Sequence, residues 1–511
     1  MFSISGMHVT LIITILMFFL NKISYNNYYK YTIVITFLIF YLFLTSITPS
    51  ILRTTIMTIT IIINKLFNLK IKKIDIMLIT LIIALLINPF IIYEVGFQFS
   101  YIISTTLNIM SKKINNKKNF LIKSLYTSYI CFIVSLPICI YHFNQINIIS
   151  IFLNIILIPL ISIIIFPLSL ITFTFPFIYN IYELSINILE LINNIFSSIP
   201  IFTLTLYKPS LILIVIYYIA IILTLLNKKY ISILLILLTI HSNYPYLNNK
   251  YTITTIDIGQ GDSILINFPN TKNNILIDTG GIFTYNKEPW KQPKEEYSIV
   301  KSKIIPYIKS IGLNKIEYLI LTHGDYDHMG EAINLVENFK VEKVIFNCGE
   351  FNELEQALIK VLNKKKIPYY SCIKELNVDN NKLYFLNNKD YGNENDNSSV
   401  IYTELNNYKF LFMGDASITT EKEILDKYNL PNIDVLKVGH HGSKTSSSKE
   451  FINEINPKYS IISVGKNNRY GHPNKEVLDN LEDSKIYRTD EDGSIMFKFK
   501  NNKLKIETCN P

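Results

Sequence analysis

Residues 318–330, Tyr-Leu-Ile-Leu-Thr-His-Gly-Asp-Tyr-Asp-His-Met-Gly, decide how this 511-residue chain is read. An apolar run with the character of a buried strand ends at Thr322, and a tight loop then presents His323, Asp325, Asp327 and His328 within six residues. Two imidazoles and two carboxylates so close together repel or sit badly solvated unless cations hold them. Histidine nitrogen and carboxylate oxygen suit Zn2+ or Mn2+, and pairs of such ions drive phosphoryl chemistry. Two divalent metal ions are therefore the expected cofactor.

Three later segments supply partners. Leu411-Phe-Met-Gly-Asp415 is an apolar run ending in Gly-Asp, where a carboxylate can bridge two metals. Leu436-Lys-Val-Gly-His-His-Gly-Ser443 offers His440 and His441, and Tyr470-Gly-His-Pro473 offers His472. Every histidine after Lys250 lies in one of these segments, so none is left over as surface filler.

The two halves of the chain differ in kind. Through Lys250 there are 16 Lys and Arg but only four acids (Asp75, Glu94, Glu183 and Glu190), a net of +12 that leaves −3 for the remainder. Scarce acids between long Ile, Leu and Phe runs are what a bilayer demands. Apolar stretches near 8–20, 32–48, 51–65, 74–93, 96–111, 123–141, 148–178, 180–200, 209–226 and 229–246 predict eight to ten spans. Pro159 and Pro167 predict a broken helix or two re-entrant pieces within 148–178. The Lys-rich loops 65–73, 112–123 and 228–229 are expected to be cytoplasmic. A last span over 230–246 then puts the rest of the chain outside. The amino terminus lacks the basic region and cleavage site of a signal peptide, and it starts almost inside an apolar segment, as though something upstream were absent.

From Tyr251 alternating strands appear at 252–258, 263–268 and 274–278, with helical patterns near 298–311, 330–340, 351–365 and 420–428. Strands interleaved with helices predict a layered α/β domain over 251–511, after a membrane domain over 1–246 and a short linker near 243–250. The five cysteines show no C-x-x-C spacing and are expected to be unpaired buried thiols. No G-x-x-x-x-G-K-[ST] motif is present, so an ATP-driven step needs another protein.

The metal-ligating segments resemble the metallo-β-lactamase fold, an αββα sandwich whose first motif usually reads H-x-H-x-D-H. Here it reads H-x-D-x-D-H, with the harder, anionic Asp325 in the second position, which favours Mn2+ and argues against lactam hydrolysis. The resemblance implies His323, Asp325, Asp327, His328, Asp415 and His441 as ligands. No histidine lies between His328 and His440, so the usual third-motif ligand is missing. Asn397-Ser398-Ser399 falls in that interval and offers Ser398 and Ser399 as donors to a phosphate. His440 either orients His441 or binds metal. His472 reads as a leaving-group acid or transition-state donor, making Asp327 and His472 the expected catalytic pair. Lys437 either neutralises a phosphate or is solvated, and Ser443 is a further expected substrate contact. Asp257, Asp278 and Gly280 are expected to shape the strand ends, with Asp257 capping its turn.

The likeness narrows with Asp257-Ile-Gly-Gln-Gly-Asp-Ser263, Asp278-Thr-Gly-Gly281 and Gly439-His-His-Gly-Ser443. The membrane half adds Ser3-Ile-Ser-Gly-Met-His-Val9, Pro49-Ser-Ile-Leu-Arg53, Gly96-Phe-Gln-Phe-Ser100 and Tyr141-His-Phe-Asn-Gln145. Together these resemble the ComEC-type competence family, which internalises DNA in transformable bacteria. The resemblance implies a multi-pass protein of the cytoplasmic membrane that conducts single-stranded DNA while an extracytoplasmic nuclease degrades the other strand. It implies membrane lipids, a DNA receptor, an ATPase and copies of the same chain as partners. The extra helices and OB-like domain that usually precede the S-G-L-H motif are not in this sequence. His8, Arg53 and Gln98 are costly in hydrocarbon and are expected to line a polar channel. Two other readings stay open: a membrane-anchored hydrolase of another phosphoester without transport, and a non-catalytic remnant.

Overall fold

The computed structural model describes residues 6–23, 26–45, 47–197, 202–270, 273–281, 297–500 and 503–509. Ser3 to Ser5 of the first membrane motif lie outside the described residues. Contacts divide the chain into two compact units, Met1–Leu204 with Lys208–Thr239, and Thr205–Tyr207 with Ile240–Pro511.

The first unit is helical: α1 (Gly6–Ile23), α2 (Asn27–Leu44), α3 (Pro49–Leu66), α4 (Lys73–Ile87), α5 (Val95–Asn115), α6 (Phe120–Phe143), α7 (Ser150–Thr174), α8 (Tyr179–Ser197), α9 (Leu211–Leu226) and α10 (Ile231–Ser242). Local chemistry sets the ends. Asn119 caps α6 by accepting from the Leu121 N–H, and Asn144 closes it in the left-handed region. Each expected apolar stretch contains one of these helices, yet among the described residues three are long and apolar enough to cross a membrane: α2, α6 and α7. Asn88-Pro89 stops α4 after 15 residues. The expected last span is shorter still, because α10 has 12 residues. At ~1.5 Å per residue it reaches about 18 Å, well short of a ~30 Å hydrocarbon core. The stretch 148–178 is not split into separate pieces. Pro159 and Pro167 flank a π-helical turn, Leu160–Ile165, inside one continuous 25-residue helix. A proline removes an amide donor, and a π turn is a common way for a helix to absorb that loss.

The second unit has two packed sheets. The first contains β1 (Tyr251–Thr255), β2 (Ile264–Asn267), β3 (Asn274–Ile277), β4 (Ile316–Ile320), β5 (Val341–Phe346) and β6 (Tyr369–Ser371). The second contains β7 (Glu375–Val378), β8 (Asn381–Phe385), β9 (Ile401–Leu405), β10 (Tyr408–Phe412), β11 (Val435–Lys437), β12 (Tyr459–Ile462) and β13 (Lys485–Arg488). A closing hairpin, β14 (Ser494–Lys500) and β15 (Lys503–Cys509), returns to the first sheet. The strand orders are β15-β14-β1-β2-β3-β4-β5-β6 and β13-β12-β11-β10-β9-β8-β7. Ile253, Ile275 and Ile320 of one sheet pack with Leu383, Phe410 and Phe412 of the other. Each such side chain contributes about 1.5–3 kcal/mol by leaving water. Leu319 and Leu276 face Ile304, Leu335 and Leu358 on one outer side, and Leu411 and Leu436 face Ile424 and Phe451 on the other. The result is the expected αββα sandwich.

One cysteine expectation fails. Cys348 and Cys372 form a disulfide, while Cys131, Cys139 and Cys509 are free. The parallel register of β5 and β6 pairs Phe346 with Ser371, so the residues just beyond meet with Cα atoms 4.4 Å apart. Strand pairing, invisible in a 24-residue spacing, creates the bond.

Candidate metal centre

The site lies where parallel strands of both sheets end. Pairing of Ile277 with Ile320 puts Asp278 beside Thr322 and His323, and pairing of Phe412 with Lys437 puts Asp415 beside Gly439 to His441. His440 and His441 both adopt positive φ, 45° and 52°, which for non-glycine residues costs about 1–3 kcal/mol each. Gly261, at φ +117°, lets the strand β1–β2 connection approach the ligand loop; a Cβ there would stand 2.1 Å from the Asp327 carbonyl oxygen.

Hydrogen bonds fix each imidazole. Asp278 accepts from the Thr322 N–H at 2.8 Å and the Thr322 hydroxyl at 2.7 Å, and His328 Nδ1 lies 2.8 Å from its Oδ2. His328 therefore donates from Nδ1 and turns Nε2 toward Asp415 Oδ1 at 3.1 Å. His441 donates from Nδ1 to the Ser463 carbonyl at 2.9 Å, so Nε2 faces Asp327 Oδ2 at 3.2 Å and Asp415 Oδ2 at 3.6 Å. His323 Nδ1 sits 3.1 Å from both the Thr322 and Ser398 hydroxyls, with Nε2 3.5 Å from Asp325 Oδ2. Four of the converging atoms, His323 Nε2, His328 Nε2, Asp415 Oδ1 and Asp262 Oδ1, are buried without a hydrogen-bond partner. Lone pairs turned on lone pairs in a low-dielectric interior are stable only around a cation. Asp262, His328, Asp415 and His441 also offer ligand atoms that all lie within 4.8 Å of one another. The donor set thus fits divalent metal ions.

Burial opposes charge on His328 and His441, but Asp415 and their other carboxylate neighbours raise both, His328 well above its ordinary value. Burial likewise opposes ionisation of Asp327, yet His441 and His328 hold it at about 2, and the same pair holds Asp415 well below the usual carboxylate range.

Asp325, Asp327, Asp415, His440, His441 and His472 line a cavity of about 550 Å3, while His323 and His328 lie fully buried behind it. His440 lies at its edge, Nε2 3.7 Å from Asp415 Oδ2 and Nδ1 3.2 Å from the Thr445 hydroxyl. The His472 ring lies 5.9 Å from that of His440 and stacks on Tyr470. Burial lowers the pKa of both His440 and His472.

Four expected substrate contacts do not line this cavity. Lys437 is 1% exposed, its ammonium 2.5 Å from Asp262 Oδ2 and 3.1 Å from the Val438 carbonyl. Ser398 holds His323 and accepts from the Asp415 N–H at 3.0 Å, so its hydroxyl orients ligands. The Ser399 N–H donates to the Thr322 carbonyl, and the Ser443 hydroxyl bonds that of Thr445. Asp257 caps its turn, accepting from the Gly259 N–H at 3.0 Å. Sequence reasoning gave no role to Asp262, although an acid in Gly-Gln-Gly-Asp and a lysine inside an apolar run were both visible. Each solvates the other.

In the first unit, the four motif segments meet. A Cβ on Gly6 would lie 2.3 Å from Thr54 Oγ1, so glycine sets the close approach of α1 to α3. Arg53 Nε donates to the Ser100 hydroxyl of α5 at 2.5 Å, and its guanidinium carbon lies 5.9 Å from the Tyr101 ring centre. Gln98 accepts from His142 Nε2 at 2.9 Å, and His8 stacks on Phe166 at 4.5 Å. Among the described residues no carboxylate pairs with Arg53.

Residues 1–230 match the family model described as Competence protein, and residues 256–466 match that of the Metallo-beta-lactamase superfamily. The chain is 31% identical over 525 residues to ComE operon protein 3 of Bacillus subtilis (strain 168), covering 98% of this chain and 67% of that one. It is 28% identical over 257 residues to competence protein ComA of Neisseria gonorrhoeae, covering 49% of this chain and 32% of that one. Among solved structures, the metallo-beta-lactamase fold protein YhfI from Bacillus subtilis shares 13% identity with a TM-score of 0.33, over 47% of this chain and 96% of that chain. With a helical unit carrying the membrane motifs and an αββα unit carrying the candidate metal centre, the chain belongs to the ComEC-type family of competence proteins.

Proposed function

We propose that the second unit is a two-metal phosphodiesterase that degrades one strand of DNA outside the cytoplasmic membrane while the first unit passes the other strand inward during natural transformation. The observation carrying this reading is the set of buried, partnerless atoms of His323, His328 and Asp415 set behind a cavity that Asp325, Asp327, Asp415 and His441 line. His323 and Asp325 would hold one ion, Asp327, His328 and His441 the other, with Asp415 between them. When bound, such ions activate water or hydroxide and stabilise the charge that develops at phosphorus. Asp327, held ionised, lines the cavity, and His440 stands at its edge with its Nδ1 on the Thr445 hydroxyl. His472, on the cavity wall and kept neutral by burial, donates a ring N–H hydrogen bond to the leaving oxygen, whose proton comes from solvent.

The Cys348–Cys372 disulfide supports an extracytoplasmic second unit, because such bonds persist in oxidising compartments. In the first unit His8, Arg53 and Gln98 give a multi-pass bundle polar contacts for a single strand, surrounded by membrane lipids. A DNA receptor, an ATPase and further copies of the chain would complete the machinery. A second reading rests on a specific observation: among the described residues no Lys or Arg lines the cavity, which suits a small phosphoester better than a polyanion.

The test uses the full chain in detergent with labelled single- and double-stranded DNA and a small phosphodiester, each with Mn2+, Zn2+ or EDTA. Metal-dependent DNA cleavage, lost in Asp327→Ala, is expected. Turnover of the small ester alone would replace the nuclease by the second reading. Neither metal binding nor turnover would leave a non-catalytic domain.

A further inference from the structure

The metal centre leaves unused a basic and aromatic cluster at the ends of α5, α6 and α9. Here Lys113, Lys117, Asn227, Lys228 and Tyr126 line a cavity of about 530 Å3. A second cavity of about 540 Å3 shares Lys117, Lys228, Tyr126 and Tyr129 but is otherwise walled by Ile122, Leu125, Phe152 and Ile231. Lys113 Nζ donates to the Leu225 carbonyl at 3.0 Å, which fixes it at the carboxy-terminal end of α9. The Lys117 and Lys228 ammoniums lie 5.3 and 5.7 Å from the centre of the Tyr126 ring, which is itself stacked with Tyr129. Among the described residues none of the three lysines makes an ion pair. Three cations gathered without an anion repel one another, while 52% of Ile122 and 57% of Phe152 stay exposed beside them.

We propose that this double cavity binds an anionic phospholipid, its phosphate on Lys117 and Lys228 and an acyl chain along Ile122, Leu125 and Phe152. Basic pockets between membrane helices hold acidic headgroups in this way. Both halves of the site are needed for an amphiphile, and both are present on one pair of tyrosines. A nucleic-acid strand would leave the aliphatic wall unused, and the Tyr126 ring that its bases would stack on already carries two ammoniums. The inference is independent of the chemistry at the metal centre and rests only on the first unit lying in a membrane.

The full chain is reconstituted in phosphatidylcholine nanodiscs doped with phosphatidylglycerol, re-purified in detergent, and its retained lipid counted by native mass spectrometry. The wild-type chain is expected to retain phosphatidylglycerol over phosphatidylcholine. At ~1 kcal/mol per lysine, Lys117→Gln/Lys228→Gln should weaken retention roughly 30-fold. Lys117→Arg/Lys228→Arg, which keeps the charge, should retain the lipid, as should Lys72→Gln/Lys73→Gln on another loop. Monodisperse gel filtration of each variant separates a lost site from a lost fold. Equal retention by the Gln variant, or equal loss by the Arg variant, overturns the proposal. So does displacement by millimolar inorganic phosphate, which would mark a free-anion site, or by an oligodeoxythymidine, which would mark a strand-binding one.

Discussion

Asp278→Asn separates the support of the metal centre from the centre itself. The carboxylate is 1% exposed and receives three short contacts, the Thr322 N–H on Oδ1 and both the Thr322 hydroxyl and His328 Nδ1 on Oδ2. Hydrogen bonds to a charged acceptor are worth ~1.5–3 kcal/mol each. An amide has one acceptor oxygen, so one side must now present a donor. If the NH2 group meets His328, the imidazole moves its proton to Nε2 and loses the lone pair aimed at Asp415. Loss of such outer support weakens metal affinity ~10–100-fold. If instead the NH2 group meets the Thr322 N–H, two buried donors oppose each other at a cost of about 1–3 kcal/mol in fold stability. Melting the full chain with EDTA and with Mn2+ or Zn2+ reads both quantities. At 100 times Kd a metal stabilises by ~2.7 kcal/mol, and a 100-fold weaker variant keeps only ~0.4 kcal/mol of that at the same concentration. An unchanged EDTA midpoint together with an unchanged metal-induced shift would refute the assignment of Asp278.

Three further outcomes are expected. Lys437→Met strands the buried Asp262 carboxylate and should lower stability by about 3–5 kcal/mol in chemical denaturation, whereas adding Asp262→Leu should restore part of the loss. Burial and the Glu394 and Asp325 carboxylates raise Glu355 to about 7, and its Oε1 lacks a partner. Because the folded state keeps that proton, its stabilisation is complete below the ordinary carboxyl range and lost as pH rises through about 7. Glu355→Gln keeps the helix cap on Asn352 and should flatten the decline in melting temperature over that window. Cys348 and Cys372 should resist maleimide until reduced, as read by mass, and reduction should cost roughly 3 kcal/mol for a loop of this size.

The chemistry-bearing residues are legible because the candidate ligands fall at the ends of continuous apolar runs, where a sudden polar loop marks a strand's end. His323, His328, Asp415 and His441 converge as that pattern implies. What stayed hidden depends on contacts between distant segments. Asp262 cannot be linked to Lys437 across 175 positions, so the sequence leaves the lysine between a phosphate contact and a solvated side chain and shows nothing of the buried pair. Ser398 was read as a donor to substrate because nothing in its neighbours shows that His323 and the Asp415 amide already use its hydroxyl. The disulfide depended on β5 and β6 being neighbours. In the helical half, apolar length was plain, but where each helix stops depended on Asn-Pro and Lys-Lys steps that hydropathy averages away.

The candidate ligands also follow strands made at different times. His323 and His328 follow strands of the first sheet, whereas Asp415 and His441 follow strands of the second, and the carbonyl that fixes His441 belongs to Ser463. His323 and His441 stand 118 positions apart in the chain. At ~5–20 residues per second, the ribosome needs roughly 6–24 s to add the second set after the first. Until then the nascent chain holds His323 and His328 without Asp415 and His441. Order of synthesis thus sets order of assembly: the site as proposed would close only once β10 and β11 have joined the strands before them.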